Sequence, residues 1–188
     1  MKHSTFLAIV ELVRPRLEKR DTQLRKAIPI EKRVGVALWR LSNGNSFRCI
    51  EKTFGVGKST AVEISAEFCR ELFRISHLFI KFPGSTEETA EAIVKFKNDY
   101  RSKIPQVVGA VDWTHIHIQT PFIDEKADYY SRKQKYTVGL QGLVGANLMF
   151  LDAASGFPGS SHDSRNMRNT TLFRRAEPTL LKNAELDL

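Results

Sequence analysis

Val107-Val108-Gly109-Ala110-Val111-Asp112-Trp113-Thr114-His115-Ile116-His117-Ile118 is where the character of this 188-residue chain changes. Ahead of Ile104-Pro105 the apolar residues recur at helical spacing. From Val107 the run is short, apolar and β-branched, then alternates through Thr114, Ile116 and Ile118. That pattern predicts a buried strand. Two further strands are expected over residues 136–144 and 148–153, with a turn at Ala146-Asn147 between them. Gly156, Pro158 and Gly159 are expected to break the sheet there. The short connections predict antiparallel neighbours, and residues 166–175 are expected to be helical.

Upstream of this stretch the chain reads as a series of helices. Ser4 or Thr5 can cap a first helix carrying Phe6, Ile9, Val10 and Val13, with a break near Arg14 because Pro15 follows. A second helix is expected over 30–41, with Val34, Ala37, Leu38 and Leu41 as its apolar stripe, stopped by Asn43-Gly44-Asn45. Ser46 then caps a short helix over 47–54. Gly55-Val56-Gly57 makes a tight turn, and a longer helix runs over 58–73 with Val62, Ile64, Phe68 and Leu72 for packing. Thr86, Glu87 and Glu88 open another helix reaching about Arg101, the acids complementing the helix dipole. The class is therefore α+β, with a helical region over 1–104 and a mixed region over 105–188.

Charge follows the same division. Residues 1–105 hold 20 Lys/Arg against 12 Asp/Glu, and residues 106–188 hold 9 of each, so the whole surplus of +8 lies in the first part. A basic module joined to a neutral one suggests a part that binds a polyanion. A short helix, a glycine-containing turn and a longer helix form the pattern of a helix-turn-helix, whose second helix reads bases with its N-terminal residues. Lys58, Ser59, Thr60 and Glu63 are the candidates for that role, and Arg40 and Arg48 for phosphate contacts; a helical hairpin that merely packs is the alternative. Gly57-Lys58-Ser59 resembles the end of a phosphate-binding loop, but Lys52 stands where that motif needs glycine, and a helix rather than a strand precedes it. The cysteines, Cys49 and Cys69, give no disulfide framework, which points to a reduced, intracellular chain. No apolar run approaches the 18 residues of a spanning helix.

The neutral part carries the chemistry. Asp112 is expected at the end of a buried strand, where a carboxylate is costly unless paired or bound to metal. Asp163 follows a Gly/Ser loop in Gly159-Ser160-Ser161-His162-Asp163-Ser164. Two carboxylates from distant positions can hold Mg²⁺ or Mn²⁺, hard cations that take oxygen ligands. His115 and His117, two apart on a strand, could with His162 bind zinc instead. Ser161-His162-Asp163 names the residue types of a hydrolase triad without a nucleophile elbow.

The chain resembles the Harbinger transposase-derived nucleases. The resemblance rests on Ala37-Leu38-Trp39-Arg40-Leu41, Phe54-Gly55-Val56-Gly57-Lys58-Ser59-Thr60, Lys81-Phe82-Pro83, Val108 to Ile116, and Tyr129-Tyr130-Ser131-Arg132-Lys133. Its strongest piece is Phe157-Pro158-Gly159-Ser160-Ser161-His162-Asp163-Ser164-Arg165, with Arg168-Asn169-Thr170 after it. The resemblance implies a helix-turn-helix region followed by a partial RNase H-like DDE nuclease domain. Asp112 and Asp163 would be its first two acids, holding divalent metal so that an activated water attacks a DNA phosphodiester. Arg165 could steady the phosphate. Trp113 stands where the family often has Gly or Cys. The family's third acid lies beyond a Gly-Asp-Ser-Gly-Tyr type motif that this chain does not contain, and neither Glu177 nor Glu185 has its context, so the chain reads as C-terminally truncated. A Myb-like DNA-binding partner and a location in nucleus and cytoplasm are the further expectations; a DNA-binding or partner-binding protein without catalysis is the alternative function.

Overall fold

The structure, a computed structural model, describes residues 1–100 and 104–174. It divides into two compact units, Met1–His77 and Leu78–Leu188. The helix at 86–100 falls in the second unit and packs on its first strand.

The first unit is four helices: α1 (His3–Leu17), α2 (Ile30–Asn43), α3 (Phe47–Phe54) and α4 (Lys58–Ile75). α1 does not break near Arg14 but continues through Pro15. Pro15 lies in the last turn, so it removes only one late hydrogen bond. Buried Val10, Val13 and Leu17 anchor both sides of it, and the Glu18 N–H still reaches Arg14 O at 3.1 Å. The core is built from one stripe of each helix, centred on Val13, Val34, Ala37, Ile50, Ile64 and Phe68. Two expected packing residues lie outside it: Leu41 and Val62 are 53% and 41% exposed. α4 instead turns Ala61, Ser65 and Ile75 inward, a stripe one position away from the one that Val62 suggested. Arg33 is buried with its guanidinium on Glu67.

Local chemistry sets α3 and its turn as read. The Ser46 hydroxyl accepts the Cys49 N–H at 3.4 Å and caps α3. Gly55 ends it at φ 59, and Gly57 precedes α4. The two cysteines are unpaired and exposed.

The second unit holds α5 (Thr86–Tyr100), β1 (Gly109–His117), β2 (Thr137–Gly145), β3 (Phe150–Pro158) and α6 (Asp163–Arg168). The strands form one antiparallel sheet in the order β1-β2-β3. Sequence and structure differ at three places here. β1 is not buried: Val111 and Ile116 are 43% and 47% exposed, because β1 pairs with β2 alone among the described residues. β3 does not stop at Gly156. The ladder passes from Phe157–Gly139 to Ser155–Leu140, so Gly156 is bulged out at φ 104, and the strand continues to Pro158. α6 begins at Asp163 itself rather than at Asn166, and a turn at Asn169 separates it from residues 171–174; Arg175, the expected end, lies outside the described residues.

Among the described residues no helix is long and apolar enough to cross a membrane.

Candidate nuclease site

β2 carries the inner layer of the sheet. Its residues alternate between buried and half-buried, with Thr137, Gly139, Gln141 and Leu143 on the covered face. Trp113 of β1 lies opposite Gln141 on that face, its indole 5.1 Å from the Phe157 ring. α6 lies over the same face: Met167 and Ser164 line one cavity with Val111, Trp113 and Gln141.

Asp112 and Asp163 line that cavity too, which has a volume of about 260 Å³. The two expected acids are thus brought together from 51 positions apart. Asp112 is not at a strand end and is not buried. It is the fourth residue of β1, opposite Gly142 on the face away from Gln141, and it is exposed. Its Oδ1 accepts the Trp113 N–H at 2.7 Å. No low-dielectric cost therefore compels a partner for it; exposure leaves its remaining oxygen lone pairs open to a ligand. Asp163, also exposed, is the first residue of α6.

Gln141 is a residue that sequence reasoning missed. It is 1% exposed, and neither its Nε2 nor its Oε1 has a partner among the described residues. A buried amide left unpaired costs about 1–3 kcal/mol, so its place on the wall of the cavity that Asp112 and Asp163 also line is an arrangement that a ligand can satisfy. Two carboxylates and an amide oxygen are hard donors of the kind Mg²⁺ and Mn²⁺ take. On that chemistry the cavity fits a divalent cation. No group of three His, Cys, Asp or Glu capable of holding a metal occurs among the described residues, so no third acid joins the pair there, and Glu177 and Glu185 lie outside those residues.

The histidines do not assemble as a zinc set. His115 places Nδ1 3.1 Å from the Thr137 hydroxyl. It shares a second cavity with His162, but His117 does not line it. That second cavity, of about 190 Å³, is walled by His115, Arg132, Lys133, Ser160, His162 and Asp163 among others. Asp163 therefore belongs to both cavities. Arg165 lines neither.

In the helical unit, Lys58 and Ser59 are exposed and Thr60 half-buried in the first turn of α4, with Glu63 exposed one turn on. Arg48 is exposed on α3, and the Arg40 guanidinium lies over the Phe47 ring at 5.0 Å. Both arginines and the start of α4 thus belong to one compact unit, with no ion pair among the described residues neutralising Arg40, Arg48 or Lys58.

Residues 111–186 match the DDE superfamily endonuclease family, a span that contains both acids. The chain is similar to the Arabidopsis thaliana protein named Antagonist of Like Heterochromatin Protein 1, with 29% identity over 93% of this chain and 44% of that protein. It is similar to an Arabidopsis thaliana protein named ALP1-like, with 29% identity over 84% of this chain and 38% of that one. It is also similar to the Rattus norvegicus protein named Putative nuclease HARBI1, with 24% identity over 95% of this chain and 50% of that one. The chain spans half the length or less of these curated relatives. No solved structure matches.

Proposed function

From a chain that carries a DDE superfamily endonuclease domain and has Harbinger transposase-derived relatives, we propose a divalent-metal-dependent DNA endonuclease. The observation that carries this reading is the single cavity shared by Asp112, Asp163 and the unpartnered amide of Gln141. Asp112 and Asp163 hold Mg²⁺ or Mn²⁺. The cation, when bound, supplies Lewis-acid polarisation of a phosphodiester oxygen and activation of water. The chain's own part is to fix the two carboxylates at one opening, on an edge strand and on the first residue of a short helix, where a large substrate can approach. The sheet and its covering helix form part of an RNase H-like domain.

The helical unit binds the duplex in this proposal as a helix-turn-helix. α4 presents Lys58, Ser59, Thr60 and Glu63 to the groove, and Arg40 and Arg48 contact phosphates. A nuclear and cytoplasmic location and a Myb-like DNA-binding partner accompany the reading. The test is cleavage of plasmid DNA with Mg²⁺ or Mn²⁺, by wild type and by Asp112→Ala. Loss of cleavage in the variant is expected; equal cleavage by both proteins overturns the assignment.

A second reading, a DNA-binding or partner-binding protein without catalysis, is favoured by one observation: two acids, not three, gather among the described residues. Its signature is duplex binding that weakens steeply with salt and no cleavage with any metal.

A further inference from the structure

We infer that the cavity walled by Arg132, Lys133, His162 and Asp163 receives a phosphodiester group of DNA, with Arg132 and Lys133 as its cationic contacts; the choice of DNA as the source rests on the nuclease reading above. Among the described residues neither Arg132 nor Lys133 forms an ion pair. The Arg132 Nη2 lies 3.3 Å from Nδ1 and 3.2 Å from Nε2 of His162. A guanidinium N–H donates along one lone pair, so near-equal distances to both ring nitrogens mean that neither is a well-aimed acceptor. The imidazole places the guanidinium without saturating it. Its planar fork matches two oxygens of a phosphate, and the Lys133 ammonium adds a compact charge beside it.

Both walls are tied down. On one side Ser131, 5% exposed, donates its N–H and its hydroxyl to Lys135 O, each at 2.9 Å, and accepts the Gln134 N–H at 2.9 Å. These bonds close a tight turn that displays Arg132 and Lys133. On the other side the Ser160 N–H reaches Asp128 O at 2.9 Å. Gly159 allows this approach: a Cβ there would lie 2.7 Å from the carbonyl oxygens of Thr137 and Tyr129. A cradle held in this way loses little freedom when an anion enters. Asp163 is a wall of this cavity and of the one proposed for the cation. A phosphate held by Arg132 and Lys133 is therefore adjacent to the carboxylate, which would otherwise repel it until a cation intervenes. The cradle so positions the diester next to the reacting centre.

The test uses the full chain without metal and the dinucleotide dTpT, which carries one phosphodiester. Nitrogen-15 NMR of the histidine rings follows its titration, and calorimetry gives its affinity. The His162 ring resonances are expected to move, and the Arg132→Ala/Lys133→Ala double variant to bind at least tenfold more weakly. Lys95→Ala, on α5, removes a charge elsewhere in the same unit and is expected to bind as wild type does. Unmoved His162 resonances in the wild-type protein, or unchanged affinity in the double variant, overturn the inference; the first result needs no variant to fold. Tighter binding of inorganic phosphate than of dTpT overturns its diester form. No cleavage is measured, so the two readings separate: if Asp112→Ala cleaves like wild type while dTpT still moves His162, the nuclease reading falls and the cradle stands.

Discussion

Asp112 on β1 and Asp163 on α6 open onto one cavity, although the pleat of β1 sets Asp112 on the face opposite the one that α6 covers. If the two carboxylates act as a unit on one cation, their removal is not additive. Asp112→Ala and Asp163→Ala are each expected to lower cleavage by about 10²-fold or more, the loss typical of a group that stabilises transition-state charge. The double variant is expected to be no worse than the weaker single one. Losses that multiply in the double variant, measured in single-turnover cleavage, would show two independent sites.

Lys58 tests the helical unit by itself. Lys58→Ala is expected to weaken duplex binding and to reduce the slope of log K against log salt by about 1, the amount for one phosphate contact. Filter binding over 50–200 mM salt measures both. An unchanged slope would mean that the start of α4 does not face the duplex.

The helical unit was the more legible part of the chain, for a physical reason. Ser46, Gly55 and Gly57 act within a turn of themselves, so α3, its turn and the start of α4 need no knowledge of distant residues. Leu41 and Val62 misled because an apolar residue near a stripe is inside only if a neighbouring helix covers it. β1 misled in the same way: a run such as Val107–Val111 predicts burial only when strands flank it on both sides. Gly156 reads as a breaker in sequence, but a bulge is decided by the register with β2. The pairing of Asp112 with Asp163 was expected from the family resemblance, residue type and spacing alone being a weak signal, whereas Gln141 gave no signal, since a polar residue on a central strand reads as solvent-facing. Arg132 and Lys133 sat in plain view as an adjacent basic pair, but only the turn around Ser131 gives them a common target.

Glu67 separates a buried ion pair from an exposed one. It meets Arg33, whose side chain is 8% exposed, and at 3.2 Å Lys19, whose side chain is 50% exposed. Glu67→Ala strands a buried guanidinium and is expected to cost about 3–5 kcal/mol. Lys19→Ala removes only a solvated partner and is expected to cost less than about 1 kcal/mol. Urea denaturation of the two variants checks the contrast; equal effects would mean that Arg33 gains nothing from Glu67.

Glu71 sets an acid limit on the same unit. The Arg74 guanidinium, bonded to it at 2.7 Å, holds its carboxyl below the ordinary value of 4.5, against the opposing effect of its burial. A carboxylate depressed in the folded state contributes stability that is complete above its unfolded value and is lost as pH falls through the folded one. Wild-type stability is therefore expected to decline below about pH 4.5 more steeply than that of Glu71→Gln. Parallel pH profiles of the melting temperature would exclude the pair as a source of the decline.

Gly159 joins stability to the proposed chemistry. A methyl group at this position overlaps the Thr137 hydroxyl and presses on two carbonyl oxygens, those of Thr137 on strand β2 and of Tyr129 at the end of a short 3-10 helix over Asp124–Tyr129. Thr137 is held in the β1–β2 ladder, so the loop from Gly159 to Asp163 is expected to shift instead. Gly159→Ala is expected to cost about 1–3 kcal/mol, the range for overpacking. It is also expected to weaken dTpT binding, because Ser160 and His162 move with the loop, while Lys58-dependent duplex binding stays at the wild-type level. Melting, dTpT titration and filter binding on this one variant check the three parts. A variant that loses stability but keeps dTpT affinity would show that the wall from Gly159 to His162 is structural and that Arg132 and Lys133 hold the phosphate without it.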